Sequence, residues 1–249
     1  MCWGLAASAT MVAAGTATTI YAARRLVPTA IWMTLGYFTL MEALQTAGYM
    51  VANACGTPAN QVITLLSYFH IVFQPFFINA FAMQLIPGEV SKKISIGVYC
   101  LCFASAAFML IQLYPFEWAG TCGAGQPLCG NELCLRYGTW HIAWDIPYNG
   151  LALKADDFFG VNWGFPTYML AVFLLPVLYG SWKFVVFHAL VGPIIANQLT
   201  DDINEAQAVW CLFAIAILLF ALFPLLLRQF RVGHWLLWPS SWTAPLARG

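Results

Sequence analysis

The sequence predicts an all-α membrane protein, a seven-helix transmembrane bundle with its N-terminus outside and a Cys/Trp-rich outer loop. Three observations carry this. Of 249 residues, 61% are hydrophobic and only 8% charged, whereas soluble domains average roughly 45–50% and about 25%. Apolar runs of about 20 residues, the length that crosses a bilayer core, recur along the chain. Lys and Arg cluster in alternate gaps between those runs. Ten basic and ten acidic residues are too few to coat a soluble sphere. They also exclude a disordered tail and a basic nucleic-acid surface. The lipid bilayer is the expected partner, and no nucleic acid is.

The predicted spans are 3–23, 29–52, 60–86, 94–114, 163–181, 183–199 and 207–227. The first lacks a positive n-region and is followed by Arg24 and Arg25, so it reads as an anchor and not a cleaved signal peptide. The fifth and sixth are separated only by Gly180, Ser181, Trp182 and Lys183, and a single kinked helix is the alternative. Charge decides between them. Seven spans put Arg24, Arg25, Lys92, Lys93, Lys183, Arg228 and Arg231 on one side, whereas six would strand the last pair. Short inner loops carry the basic excess, which places the protein in a bacterial inner (plasma) membrane. The bundle occupies 1–231. The tail 232–249, with Trp235, Trp238 and Trp242, reads as an interfacial segment.

Glu117, Glu132, Asp145, Asp156, Asp157, Asp201, Asp202 and Glu205 fall outside, with only Arg136 and Lys154 beside them. An acidic mouth concentrates cations, although orientation alone tolerates outer acids. The loop 115–162 holds Trp118, Trp140 and Trp144, with Trp163 just beyond it, too many aromatics for disorder. His141 and Asp145, four residues apart, form a possible cation site or a local helical pair. Cys2, Cys55, Cys122, Cys129 and Cys134 fall outside, where oxidation favours one or two disulfides. Cys55, Cys122, Cys129 and Cys134 are the bridging candidates, with Cys2 or Cys55 left over. The spacing does not match a zinc ribbon, and the pairing stays open.

No Lys lies in any predicted helix centre, so retinal has no amine for a Schiff base. No phosphate loop, His-Glu-x-x-His, Gly-x-Ser-x-Gly or Cys-x-x-Cys-His is present. The ionisable residues within spans are Glu42, His70 and His188. Counted from the outer helix ends, all three lie ~15–16 Å deep, near the bilayer centre. Gln45 shares a face with Glu42, and Ser67 and Gln74 share one with His70. These residues are expected to form one mid-membrane site. Two imidazoles and a carboxylate suit zinc, iron or copper, and the histidines could ligate a b-type haem. A His–Glu pair in low dielectric could also relay protons. The alternative is hydrogen bonding that only fixes helix packing. His70-x4-Pro75-x3-Asn79 recurs as His188-x4-Pro193-x3-Asn197, a pattern compatible with an inverted repeat or with coincidence.

The start Met1-Cys2-Trp3, the Arg pair, the helix-2 centre Met41-Glu42-Ala43-Leu44-Gln45 and His70 with Phe73-Gln74-Pro75 carry a resemblance. Together they resemble uncharacterised bacterial and viral multi-span integral membrane proteins with a Met-Cys-Trp or Met-Cys-Phe start. Those proteins usually have Ser fourth, where this chain has Gly4. The resemblance covers mainly the first three helices. It implies a shared multi-span fold, no known activity, and Cys2, Glu42 and the His70–Pro75 stretch as shared features. Three functions remain open: a metal or haem membrane protein, a small cation- or proton-coupled transporter or channel, and a non-catalytic subunit bound to a larger membrane complex.

Overall fold

The chain was analysed as a computed structural model, which describes residues 3–25, 27–123, 125–152, 165–214 and 223–243. It is mostly helical. In chain order the helices are α1 (Leu5–Arg24), α2 (Thr29–Val51), α3 (Pro58–Ala82) and α4 (Gly88–Gln112). There follow α5 (Pro166–Leu178), α6 over 182–199, α7 (Ala206–Ala214), α8 (Pro224–Phe230) and α9 (Ser240–Thr243). Three helices are long and apolar enough to cross a membrane: α1, α3 with the 3-10 turn that extends it to Leu85, and α4.

The described residues therefore form nine helices where seven were expected. The predicted span 207–227 is described in two pieces, α7 and α8, with 215–222 between them outside the described residues. The tail adds the short α9. The predicted fifth and sixth spans are separate helices. Gly180, with φ of +105°, turns the chain between them. Such a left-handed residue favours glycine, and a Cβ there would also meet Trp238 at 2.8 Å.

Local chemistry explains the helix starts and bends. Thr57 caps α3 by accepting from the Asn60 N–H, and Pro58 occupies the first turn, where a missing N–H costs nothing. Inside α3, Pro75 cannot donate to the carbonyl one turn back. Asn79 reinforces this stretch by donating from Nδ2 to the Pro75 carbonyl at 2.8 Å and to the Ala171 carbonyl of α5 at 2.9 Å. Both α5 and α6 contain a π-helical turn, Leu170–Leu174 and Leu190–Ile194. The second lies at Gly192-Pro193, where the proline breaks the α-helical ladder. A Cβ on Gly192 would sit 2.4 Å from Trp210 Nε1, so the close approach of α6 to α7 needs glycine.

The recurring His-x4-Pro-x3-Asn pattern does not extend to environment. Asn79 is fully buried between α3 and α5, whereas its counterpart Asn197 is exposed.

The outer loop folds as a cap. Strands β1 (Cys134–Tyr137) and β2 (Ile142–Asp145) pair antiparallel, Cys134 opposite Asp145 and Tyr137 opposite Ile142. Asn60 fastens this hairpin to α3. Its Oδ1 accepts from the Leu135 N–H at 2.9 Å, and its Nδ2 donates to the Leu135 carbonyl at 2.7 Å. Two disulfides complete the cap, Cys55–Cys134 and Cys122–Cys129. Two bridges among the outer cysteines agree with the sequence expectation, and Cys55 is paired. Cys2, Lys154, Asp156, Asp157 and Trp163 lie outside the described residues. In the tail, Trp235 and Trp238 donate from Nε1 to the Leu178 and Tyr179 carbonyls at the end of α5, so these indoles are tied to the bundle.

Candidate functional site

The polar centre of the bundle is built from α2, α3, α5 and α7. Glu42 and Gln45 lie one turn apart on α2, and both are fully buried. Gln45 Nε2 donates to the Ala208 carbonyl of α7 at 3.3 Å, fixing this face of α2 against α7. One turn along α7 lies Cys211, buried like Glu42. On α3, Gln74 accepts through Oε1 from the Tyr168 hydroxyl at 2.6 Å. A cavity of about 40 Å³ lies beside this group. Gln74, Tyr168, Gln207 and Cys211 line it, and Pro127 and Leu128 of the cap also border it.

Both carboxyl oxygens of Glu42, and Oε1 of Gln45 and Gln207, have no hydrogen-bond partner among the described residues. Buried polar groups are nearly always hydrogen-bonded, so such a run of unpartnered acceptors is unusual. Ser67 does not join it: its hydroxyl donates to the Ile63 carbonyl of its own helix.

His70 and His188 each have a partner of their own, and among the described residues they are not grouped with Glu42 to hold a metal ion. His70 packs against α2, its ring stacked on Tyr37 at 3.9 Å. Its Nε2 is 2.7 Å from the Tyr37 carbonyl, which can only accept, so Nε2 carries the proton and the lone pair is on Nδ1. His188 lies between Phe173 and Phe184. Its Nε2 is 3.1 Å from Trp210 Nε1, which can only donate, so the proton is on Nδ1. Equal depth counted along three helices says nothing about azimuth, and the two rings have different partners.

This arrangement does not fit the expected cofactors. A haem held by both histidines needs two free ring lone pairs facing one plane. The His188 lone pair is already used by Trp210, and the two rings pack on different helices. Among the described residues, no three His, Cys, Asp or Glu side chains are grouped to hold a metal ion.

The outer cluster is a second polar network, and its carboxylates are paired. Glu205 is fully buried. Its carboxylate accepts from the Thr139 N–H at 3.1 Å, the Trp140 N–H at 2.5 Å, the His141 N–H and the Thr200 hydroxyl. Arg136 donates to Asp145 at 2.9 Å and to both carboxylate oxygens of Asp202. Hydrogen bonding to Asp202 is the chief reason the guanidinium is held even more firmly charged than usual. Burial alone would raise the Asp202 carboxyl, but hydrogen bonds from Arg136 and the Asn204 N–H outweigh it and hold the group below its ordinary value.

His141 and Asp145 are not a helical pair, because residues 142–145 form a strand and the two side chains have different partners. His141 Nδ1 accepts from the Tyr49 hydroxyl and the Ile142 N–H, both at 2.8 Å. Burial pushes its imidazole down to about 3, so it is neutral at physiological pH. A cation site at this mouth would have to displace the Arg136 guanidinium.

Sequence reasoning placed Glu42, Gln45 and Gln74 in the centre but missed Tyr168, Gln207, Trp210 and Cys211. Tyr168 and Trp210 resemble interfacial aromatics. Gln207 and Cys211, four residues apart on α7, were the available signal. Glu205 was counted only as one of the outer acids. No curated protein and no solved structure matches the chain. A family model matches it over residues 6–231, and the chain therefore belongs to the family described as a family of unknown function (DUF5765).

Proposed function

We propose that this protein is an integral membrane protein, N-terminus outside, that works as a small cation- or proton-coupled transporter or channel with Glu42 as its exchange group. Alternating basic gaps in the sequence support the orientation and a bacterial inner membrane. Three membrane-length helices support the membrane setting. One observation carries the function: Glu42 is fully buried, and neither carboxyl oxygen has a partner among the described residues. An ionisable group in a span is expensive and serves by default as a functional candidate. A carboxyl kept only for packing would be expected to hold a donor, as Glu205 does.

The mechanism follows from the neighbours. An ionised, unpaired carboxylate in a low-dielectric interior is strongly disfavoured. Glu42 is therefore stable when a proton or a monovalent cation neutralises it, and it releases that species only when another arrives or water enters. Gln45 and Gln74 hold amide groups beside the exchange path without adding charge. Purified protein tests this reading. Trp210 borders the cavity beside Cys211, so its fluorescence should change on titration with acid or with a monovalent cation. Glu42→Gln should remove that change. An identical response in the variant would refute the role of Glu42.

A further inference from the structure

The cavity between the outer cap and Cys211 narrows the identity of the exchanged species. Its volume is about 40 Å³, room for roughly three waters at about 10–15 Å³ each, and too little for an organic cation. The groups that line it are amide, phenol, indole and thiol, with aliphatic and Phe165 side chains between them. A hydrated metal ion would need a ring of carbonyls or carboxylates to replace its water shell, and this lining contains no charged side chain. Its wall faces the Glu42 side of the bundle: the Tyr168 hydroxyl bonds Gln74, and Cys211 lies one turn along α7 from Ala208, whose carbonyl Gln45, one turn from Glu42, bonds.

On the cap side the cavity is bordered by Pro127 and Leu128. Leu128 is buried and held in the left-handed region, φ +62°, a conformation that costs roughly 1–2 kcal/mol in a residue with a Cβ. Its surroundings impose it. The Leu128 carbonyl accepts from the Ile146 N–H at 2.7 Å, the Pro127 carbonyl accepts from the Tyr148 hydroxyl at 2.8 Å, and Cys122–Cys129 ties off the loop. Strain kept at one residue over a cavity is a reason to look for function there.

We propose that the species exchanged at Glu42 is the proton, delivered from outside on water in this cavity, with Leu128 as its outer plug and Tyr168 and Gln74 as positioning residues. This rests on the reading of Glu42 as the exchange group. In the step, one O–H bond of a protonated water in the vestibule breaks and one O–H bond forms on the Glu42 carboxylate, leaving a neutral water and a neutral carboxylic acid. Tyr168 and Gln74 orient the water and are not themselves changed.

The test uses the full chain in liposomes of neutral phospholipid, with a pH dye inside and the membrane potential clamped by potassium and valinomycin. Acid added outside should acidify the lumen. Glu42→Gln should lower that flux by about a hundredfold, within the usual range for a positioned proton-transfer group. Tyr168→Phe should slow it while keeping the packing, and Leu128→Gly, which relieves the strained backbone and opens the plug, should speed it. Infrared spectra of the wild type at neutral pH should also show a carboxylic-acid C=O band that Glu42→Gln lacks. Uptake of radiolabelled sodium that Glu42→Gln abolishes would overturn the proton assignment and leave Glu42 as the exchange group. Equal flux and equal infrared spectra in wild type and Glu42→Gln would remove both.

Discussion

Two buried glutamates show how differently this molecule treats the same side chain. Glu205, under the cap, is surrounded by backbone N–H groups and a hydroxyl that bond both carboxylate oxygens. Glu42, at the bundle centre, is equally buried, and its carboxyl has no donor among the described residues. The cap beside Glu205 is further fixed by the Arg136–Asp145–Asp202 cluster and two disulfides. The centre holds neutral groups, Gln45, Gln74, Tyr168 and Cys211, beside a cavity. A fully bonded carboxylate specifies structure, because each donor fixes its direction. An unbonded one contributes little to stability and remains free to exchange what neutralises it. The cap therefore reads as scaffold and the centre as the working part.

The comparison is tested most severely by opening the cap. Cys55–Cys134 closes a separation of 79 residues, so replacing both by Ser should lower stability by about 4 kcal/mol on the chain-entropy account. Thermal melting in detergent would measure this. A loss near zero would mean that the hairpin is held without the bridge. Next is Glu205→Gln, which leaves the volume but turns an amide N–H₂ towards backbone donors. It should cost about 3 kcal/mol, and a neutral effect would contradict the anionic cradle.

Acid should act through the same region. Burial pushes the His141 imidazole from its ordinary 6.5 down to about 3. When pH falls below about 6.5, the unfolded chain takes up a proton that folded His141 refuses until about 3. Stability is therefore fully present above that window and is lost on acidification across it, at about 1.4 kcal/mol per pH unit. His141→Asn, whose Oδ1 can still accept from Tyr49, should flatten this slope in pH-resolved melting curves. An unchanged slope would show that another group carries it.

The centre should respond weakly in stability. Glu42→Gln should change melting by less than about 1 kcal/mol, in either direction, because the wild-type carboxyl has no donor to lose. A cost as large as that of Glu205→Gln would show a hidden partner for Glu42. The smallest expected effect is the coupling between His70→Ala and His188→Ala. Their rings have different partners, Tyr37 and Trp210, so the two losses should add to within about 0.5 kcal/mol. Strong coupling in a double-mutant cycle would restore a shared site.

Much of this organisation is legible in the amino-acid sequence. Composition makes a helical chain of membrane character nearly unavoidable, since 8% charge cannot solvate 249 residues. Outer cysteines predicted bridges, and polar residues in apolar runs selected Glu42, Gln45 and Gln74. Each is a one-dimensional signal, set by how far along the chain a residue lies and what surrounds it there. Tertiary structure alone decided which helix face meets which. It put Gln45 on Ala208, Tyr168 on Gln74 and Trp210 on His188, and it gave His70 and His188 different partners. It also turned residues 142–145 into a strand, which undid the helical pairing of His141 with Asp145. The physical reason is that helix rotation and strand pairing are fixed by contacts between distant segments. Depth can be counted from a helix end, but azimuth comes only from packing.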